Sequence, residues 1–435
     1  MERDAYKQLL KWKTSSNRKP LVLYGARQVG KTWLLQEFGK NEYRQALYLN
    51  FDANRKLHQY FGDDITPAVI IAGLEDHFGK KITPTDTLLI FDEVQEAQRA
   101  KDSLKYFNEL APEYHVAAAG SFLGIAEDKF PVGQVNEITL LPLSFYEFLK
   151  AAGKDILLEN IKSLKPSMAQ SIKITAEPKL KEYMYVGGMP EAVNAFIETG
   201  GLLEVRKVQE KIINNYKNDF TKHIKGTDIP KVRMIWESIP WHLSKEKKKF
   251  MYKEIQTGAR AAAYENALDW LINTGLVYKI SRTAEAKLPL AGYTGGLASF
   301  KLYMIDTGLL SAACGLDITT FYDPDPLVFK EFKGAIAEQF VLQELKTLGS
   351  RPICYWGKDD GKSEVDFVVQ WQNEIVPIEV KSGIRKRSQS LDIYRELYKP
   401  EHSIKTTLNN FGIMDDLYSI PLYMIASFDK ILSKK

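Results

Sequence analysis

Cysteine is nearly absent from this 435-residue sequence: Cys314 and Cys354 are its only thiols, and neither has a Cys-x-x-Cys partner. That scarcity argues against a disulfide framework or a cysteine-based zinc centre and leaves buried, reduced thiols as the expectation. Histidine is sparse too, with six scattered residues, and the i, i+4 pair Asp219 and His223 fits a helix surface better than a metal site. No apolar run approaches the roughly 18 residues of a membrane-spanning helix. The charged start Met1-Glu2-Arg3-Asp4 carries no signal-like segment, so the expected setting is the cytoplasm, with no membrane partner. Net charge is small, because 59 basic and 55 acidic residues leave +4, which neither demands nor excludes nucleic acid. What the chain does have is an ordinary globular composition, 45% hydrophobic and 26% charged, and length for about three domains.

The organising stretch is Leu21 to Thr32. Leu21 to Tyr24 is a short apolar run suited to a strand buried on both faces, and apolar residues resume at helical spacing from Trp33 to Phe38. Between them lies Gly25-Ala26-Arg27-Gln28-Val29-Gly30-Lys31-Thr32. A loop of this spacing wraps backbone N–H groups round a polyphosphate at a helix N-terminus, where unpaired amides and the helix dipole both favour negative charge. Gly25 and Gly30 permit the tight path, Lys31 reaches the β and γ phosphates, and the Thr32 hydroxyl completes the shell of a magnesium ion. ATP and Mg2+ are the implied ligands.

Strands and helices alternate through the first 150 residues, which predicts a parallel sheet covered by helices. Further strands are expected at Ala46–Phe51, Thr87–Phe91, His115–Ala119 and Glu137–Leu141, with helices at Pro67–Phe78 and Ala100–Leu110. The third strand ends in Asp92-Glu93. Two carboxylates delivered at a strand's C-terminal end supply the other half of a hydrolase site: Asp92 holds magnesium through water and Glu93 polarises the attacking water. Gly120-Ser121 ends the fourth strand, where Ser121 could sense the γ phosphate or could simply belong to a Gly-Ser turn.

This order of parts resembles the AAA-type P-loop ATPases, in which an extra strand separates the phosphate-loop strand from the acidic one. The segments Gly-Ala-Arg-Gln-Val-Gly-Lys-Thr, Ile-Phe-Asp-Glu-Val-Gln-Glu, Ala-Gly-Ser-Phe and Leu-Pro-Leu-Ser-Phe-Tyr-Glu-Phe-Leu narrow it. They resemble the bacterial and archaeal AAA-type ATPases that carry a C-terminal domain of unknown function. The resemblance gives Ser121 the polar sensor position. Gly133-Gln134 stand where the family commonly has a basic residue, and no arginine finger can be assigned to Arg27 or Arg99.

Leu149 to Lys225 reads as mostly helical, a lid or linker bundle interrupted by the sharp turn Val-Gly-Gly-Met-Pro, with Pro190 suited to open the next helix. From Pro230, three helices (Val232–Trp241, Lys249–Thr257, Arg260–Thr274) and a strand pair (Tyr278–Arg282, Phe300–Ile305) follow the order of a winged helix-turn-helix. Such a module can contact DNA, with Lys245, Lys247, Lys248, Lys249, Arg260 and Arg282 offering charge, or can serve only protein contacts.

The last region opens with a helix over Glu331–Leu345 and two strands, Glu364–Gln370 and Ile375–Lys381. If Gln370 faces Ile375, Asp366 lies opposite Glu379, and the period of two adds Lys381 to the same face. Two carboxylates and a lysine on one sheet face can hold a divalent ion beside a phosphodiester. The spacing resembles the restriction-endonuclease-like superfamily, whose members often add a helix glutamate, here Glu338. The same lysine could instead neutralise the two acids as a salt bridge.

The expected architecture is thus α/β: a P-loop AAA-type core (1–150), a helical lid (151–228), a winged helix (229–312) and a restriction-endonuclease-like domain (325–435). The leading function is an ATPase whose nucleotide state positions the later domains, possibly on DNA. The alternatives are a metal-dependent nuclease regulated by ATP and an ATP-gated scaffold with negligible turnover. Oligomeric state is not legible in the sequence.

Overall fold

The computed structural model describes residues 1–121, 133–163, 169–224, 226–293, 299–322, 330–359, 361–381 and 388–433, by backbone alone at 121, 222, 223, 321, 322 and 330–332. The chain forms two compact units, Met1–Leu141 with Asn273–Leu276 and Pro142–Ile272 with Val277–Lys435. Among the described residues no helix is long and apolar enough to cross a membrane, and both cysteines are free.

The first unit runs α1 (Asp4–Thr14), β1 (Leu21–Gly25), α2 (Lys31–Glu42), β2 (Gln45–Asn50), α3 (Pro67–Phe78), β3 (Thr87–Asp92), α4 (Gln98–Leu110), β4 (His115–Ser121) and β5 (Asn136–Thr139). All its ladders are parallel, in the order β2-β3-β4-β1-β5. β1 and β3 are buried throughout, as continuous apolar runs in a covered parallel sheet require. α3 spans the expected residues because Pro67 can open a helix without losing a needed N–H, and Gly79 closes it in the left-handed conformation. Against one face of the sheet, Phe51, Phe61, Phe91 and Phe107 meet edge to face, with ring centres 5.3 to 6.3 Å apart.

The second unit begins with five helices: α5 (Phe145–Ala151), α6 (Asp155–Ser163), α7 (Ala169–Val186), α8 (Pro190–Thr199) and α9 (Leu202–His223). The helical reading of this stretch holds, with Pro190 at the first turn of α8. Next come α10 (Ile229–Ser244), α11 (Ala261–Asn273), β6 (Val277–Thr283), β7 (Phe300–Met304), α12 (Thr307–Ala313), α13 (Ile318–Tyr322) and α14 (Lys330–Thr347). The chain ends with β8 (Ile353–Gly357), β9 (Glu364–Trp371), β10 (Glu374–Val380), α15 (Gln389–Tyr398), β11 (Ser403–Thr407), β12 (Gly412–Met414), β13 (Leu417–Pro421) and α16 (Phe428–Leu432).

Two expectations need correction here. The helix expected over Lys249–Thr257 is only a short 3-10 turn at Tyr252–Glu254, because Phe250 donates its N–H to the Phe300 carbonyl and holds the chain extended. The sequence pattern puts the apolar face of the third helix at Ala263, Ala267, Trp270 and Leu271, whereas α11 buries Tyr264, Ala267, Leu268 and Leu271 and leaves Ala263 exposed. The strand pair β6–β7 also continues a larger sheet, since Arg282 and Thr283 pair in parallel with Tyr355 and Trp356 of β8. The full order is β12-β13-β11-β10-β9-β8-β6-β7.

The Gly-Gly turn before α8 has a packing cause. A Cβ on Gly188 would stand 2.1 Å from the Leu143 carbonyl oxygen, and one on Gly187 would stand 2.2 Å from Asp306 Oδ1. Asp306 in turn accepts N–H bonds from Gly188 (2.6 Å) and Leu309 (3.0 Å). α14 is no surface helix: residues 335–345 are buried all round, so its polar side chains must find partners inside the protein. Gln339 bonds both the N–H and the carbonyl of Met304, and Gln343 accepts from Thr307 N–H and donates to Tyr183 Oη and Asp306.

Candidate functional site

The phosphate loop leaves β1 at Gly25, where a Cβ would lie 2.5 Å from the Leu140 carbonyl oxygen, so only glycine fits beneath it. The loop then passes through Gln28 and Gly30 in the left-handed region, with φ of 67° and 93°. Lys31 opens α2. Its ammonium is buried and donates to the carbonyls of Gly25 and Ala26, each at 2.9 Å. Burial pulls its pKa down to about 8, against the opposing pull of Glu93 and Asp92. Arg3, absent from the sequence reading, braces the loop by donating to the Val29 carbonyl at 3.1 Å.

The acidic strand end meets this loop. Thr32 Oγ1 donates to Asp92 Oδ2 at 2.8 Å, and Glu93 N–H donates to Asp92 Oδ1 at 3.1 Å. Tyr48 adds a second hydroxyl on Asp92 Oδ2 at 2.6 Å, and Asn50 holds the Tyr48 oxygen at 3.0 Å. Sequence reasoning missed Tyr48 and Asn50; their signal is a pair of polar side chains two apart at the end of the strand beside the acidic one. The Tyr48 hydroxyl is pushed up to about 12 by burial and then by the Asp92 carboxylate it bonds. A hydroxyl and a carboxylate this close form a hard-oxygen donor set that fits Mg2+. Glu93 follows in the left-handed conformation, φ 49°, and its carboxylate accepts a hydrogen bond from Gln95 Nε2.

Some expected residues stand outside this cluster. The backbone of Ser121 is paired beside Gly25, but its side chain lies outside the described residues, as does that of His223. Arg99 holds the Gly62 and Asp63 carbonyls at 2.6 to 3.0 Å, a loop-bracing contact, and Gln134 accepts from Asn108.

A second charged cluster lies in the C-terminal sheet. β9 and β10 pair with Ile375 opposite Gln370, the register the sequence predicts, across a tighter turn of Gln372 and Asn373. Val380 N–H donates to Asp366 Oδ2 at 2.8 Å, and Lys381 bonds Glu379 Oε1 at 2.6 Å. Glu338 on α14 joins from the side, held by Lys248, by Tyr303 Oη at 3.0 Å and by Lys301 at 3.8 Å. Lys301 also bonds Glu364 at 2.6 Å. Burial raises the Asp366 carboxyl well above its ordinary range, with Glu338 and Glu379 adding to the shift. Burial works against Glu338 as well, but Lys248 and Lys301 outweigh it and keep that carboxylate below the usual range. Lys248, Lys301, Tyr303 and Glu364 were not legible as members; a lysine and a tyrosine two apart in the apolar strand Phe300-Lys-Leu-Tyr-Met304 are the visible trace.

Three basic residues considered for DNA are engaged internally. Lys245 pairs with Glu254 at 2.8 Å, Lys248 with Glu338, and Arg282 with Asp359 at 2.5 Å. Lys247, Lys249 and Arg260 are exposed. Arg385 and Arg387 lie outside the described residues. Among those described, the one group of three acidic or histidine side chains with ligand atoms within 4.8 Å of one another is Glu374, Glu401 and His402, where His402 already bonds Glu374 at 2.7 Å.

A parallel sheet with β4 between the loop-bearing and acid-bearing strands, and Thr32 touching Asp92, defines the P-loop nucleotide-binding class. Comparison narrows this: residues 17–149 match the AAA domain family, residues 177–320 a domain of unknown function (DUF8612) and residues 333–425 another (DUF4143). Residues 17–149 thus form an AAA-type P-loop domain, and the C-terminal residues 333–425 a domain of unknown function.

Similar solved structures include the Walker-type ATPase PABY2304 of Pyrococcus abyssi, at 13% identity, TM-score 0.44, covering 72% of this chain and 95% of that one. Another is the Aeropyrum pernix ORC1 protein in complex with DNA, at 12%, 0.30, 75% and 91%. A third is the signal-transduction ATPase PH0952 of Pyrococcus horikoshii, at 14%, 0.29, 80% and 46%. None of the curated proteins compared matches the sequence.

Proposed function

We propose that the first unit hydrolyses ATP and that its nucleotide state governs the second unit. The observation that carries this reading is the meeting of Thr32 with Asp92 at 2.8 Å, beside the buried Lys31 and next to Glu93. The loop amides take the phosphate oxygens, and Lys31 exchanges the Gly25 and Ala26 carbonyls for the β and γ phosphates. Thr32 and Asp92 would hold Mg2+, which neutralises charge on the triphosphate. Glu93 takes the proton of the attacking water.

Phosphate release by the purified chain, with and without single- and double-stranded DNA and RNA, tests the reading. Lys31→Ala and Glu93→Gln should each abolish turnover; release that survives both would overturn it. Binding without measurable turnover would favour the ATP-gated scaffold.

A second reading, a metal-dependent nuclease regulated by ATP, is favoured by one observation: Glu379 Oε2 is buried in the acidic cluster with no hydrogen-bond partner among the described residues. The oxygens of Glu338, Asp366 and Glu379 do not all lie within 4.8 Å of one another in this structure; on this reading a divalent ion would draw them together as hard-oxygen ligands, and Lys381 would supply a phosphate contact. The engaged state of Lys245, Lys248 and Arg282 leaves Lys247, Lys249 and Arg260 as the charge a winged segment would present to a nucleic-acid backbone. Divalent-dependent cleavage that disappears in Asp366→Ala and persists in Glu93→Gln would support this reading, and cleavage indifferent to Asp366 would reject it.

A further inference from the structure

We propose that Gln95 is a water-positioning residue of the ATP site, acting beside Glu93 as the second group that holds the attacking water. This rests on the reading of the first unit as an ATP hydrolase. Gln95 sits in the 3-10 turn Val94–Glu96 immediately after the acidic pair. Its Nε2 donates to Glu93 Oε2. An ionised carboxylate can only accept, so this bond fixes the amide orientation without reference to any other contact.

The consequence falls on the other end of the amide. Gln95 Oε1 is the other arm of the amide, and it is buried with no hydrogen-bond partner among the described residues. Buried acceptors without a donor are uncommon, because the water they lose on folding is normally replaced. The location of this one is informative. A Cβ on Gly120 would lie 3.1 Å from it, so the oxygen reaches the C-terminal end of β4. There Gly120 pairs with Tyr24 and the next residue pairs with Gly25, the first glycine of the phosphate loop. An acceptor is therefore aimed at the sheet edge where the polar sensor was expected from Ser121, and the absence of a side chain at position 120 gives it room.

A water between Glu93 and Gln95 has two protons to place and finds two acceptors. As its oxygen bonds to the γ phosphorus, the bond from phosphorus to the β-bridging oxygen breaks, and that electron pair leaves on ADP. One water proton passes to Glu93, and the other stays on the inorganic phosphate, hydrogen-bonded to Gln95 Oε1. The Nε2 bond holds the Glu93 carboxylate in place for this transfer.

The test is steady-state turnover of the full-length chain carrying Gln95→Leu, with Glu93→Gln as reference. The expected result is a kcat at least about tenfold lower, the scale of a lost acid–base or positioning group, with KM and Mg·ATP binding within about twofold of the parent. Trapping of ADP with magnesium and aluminium fluoride, which imitates the water-bearing transition state, should be lost while ATP binding remains, a split that a merely structural role does not give. Gly120→Ala, which pushes on Oε1 without touching Glu93, should lower kcat in the same direction and serves if Gln95→Leu does not fold. A Gln95→Leu kcat equal to or above the parent's, with Glu93→Gln inactive, overturns this inference and leaves the hydrolase reading intact. Turnover indifferent to Glu93→Gln, or a parent chain without turnover, removes both.

Discussion

Lys31 shows how burial sets chemistry at a single residue. Removed from water and bonded only to carbonyls, its ammonium is held near pH 8, so a triphosphate arriving at the loop restores the proton by supplying the missing negative charge. Mg·ATP affinity should therefore be full below pH 8 and fall as pH rises above it, by up to about tenfold per unit. Calorimetry near pH 8 in two buffers of different ionisation enthalpy should register proton uptake on binding; equal enthalpies in both would contradict this. Glu344 is the mirror case. It lies wholly buried on α14, accepting only the Phe145 N–H at 2.9 Å, and burial, with Glu147 nearby, raises its pKa to about 8. The unfolded chain releases that proton near 4.5, so the native state binds more protons between there and pH 8, and stability must fall as pH rises through that window. Glu344→Gln keeps the acceptor and cannot ionise. It should match the parent's melting temperature near pH 5 and exceed it by several degrees at pH 8, by scanning calorimetry; an equal difference at both pH values would count against the burial account.

At the scale of elements, the parallel strands were legible because burial on both faces leaves an unmistakable apolar run, as in Leu-Val-Leu-Tyr and Thr-Leu-Leu-Ile-Phe. The β9–β10 register was legible because a short turn and a period of two leave few pairings, and Ile375 does face Gln370. The second helix of the winged order was not, because one backbone bond, Phe250 N–H to Phe300, outweighs local preference. The burial of α14 was not legible, because the partners of Glu338, Gln339, Gln343 and Glu344 lie on strands and helices distant in sequence. The Val-Gly-Gly-Met-Pro turn is explained at this scale too. Gly188 packs a backbone carbonyl where any side chain would sit, so Gly188→Ala must displace main chain rather than a flexible side chain. The expected cost is about 3 kcal/mol or more, read as a drop in denaturant midpoint, with Glu198→Ala on the exposed side of α8 as a near-neutral control.

Over the whole molecule, two polar clusters occupy two compact units. The first holds the phosphate loop, Asp92, Glu93 and Gln95; the second holds Glu338, Asp366, Glu379 and Lys381 beside the buried Lys301 and the half-buried Lys248. The first was readable because phosphate binding depends on a contiguous loop and one strand end. The second is assembled from residues as distant as Lys248 and Lys381, so spacing revealed its carboxylates but not the Lys248 and Lys301 contacts that neutralise Glu338. Replacing one member of such a buried ion cluster leaves the rest uncompensated, which couples its charge state to the fold of the second unit.

The central claim is that the loop carrying Lys31 and the strand end carrying Asp92 share one triphosphate and its ion. Titration of Mg·ATP into the full-length chain by isothermal calorimetry tests it most directly. One site per chain, lost in Lys31→Ala and weakened when magnesium is withheld or Asp92 is replaced by Asn, is the predicted result. A folded parent chain that gives no binding heat and no nucleotide-dependent rise in melting temperature, or one whose ATP affinity ignores Lys31, would contradict it.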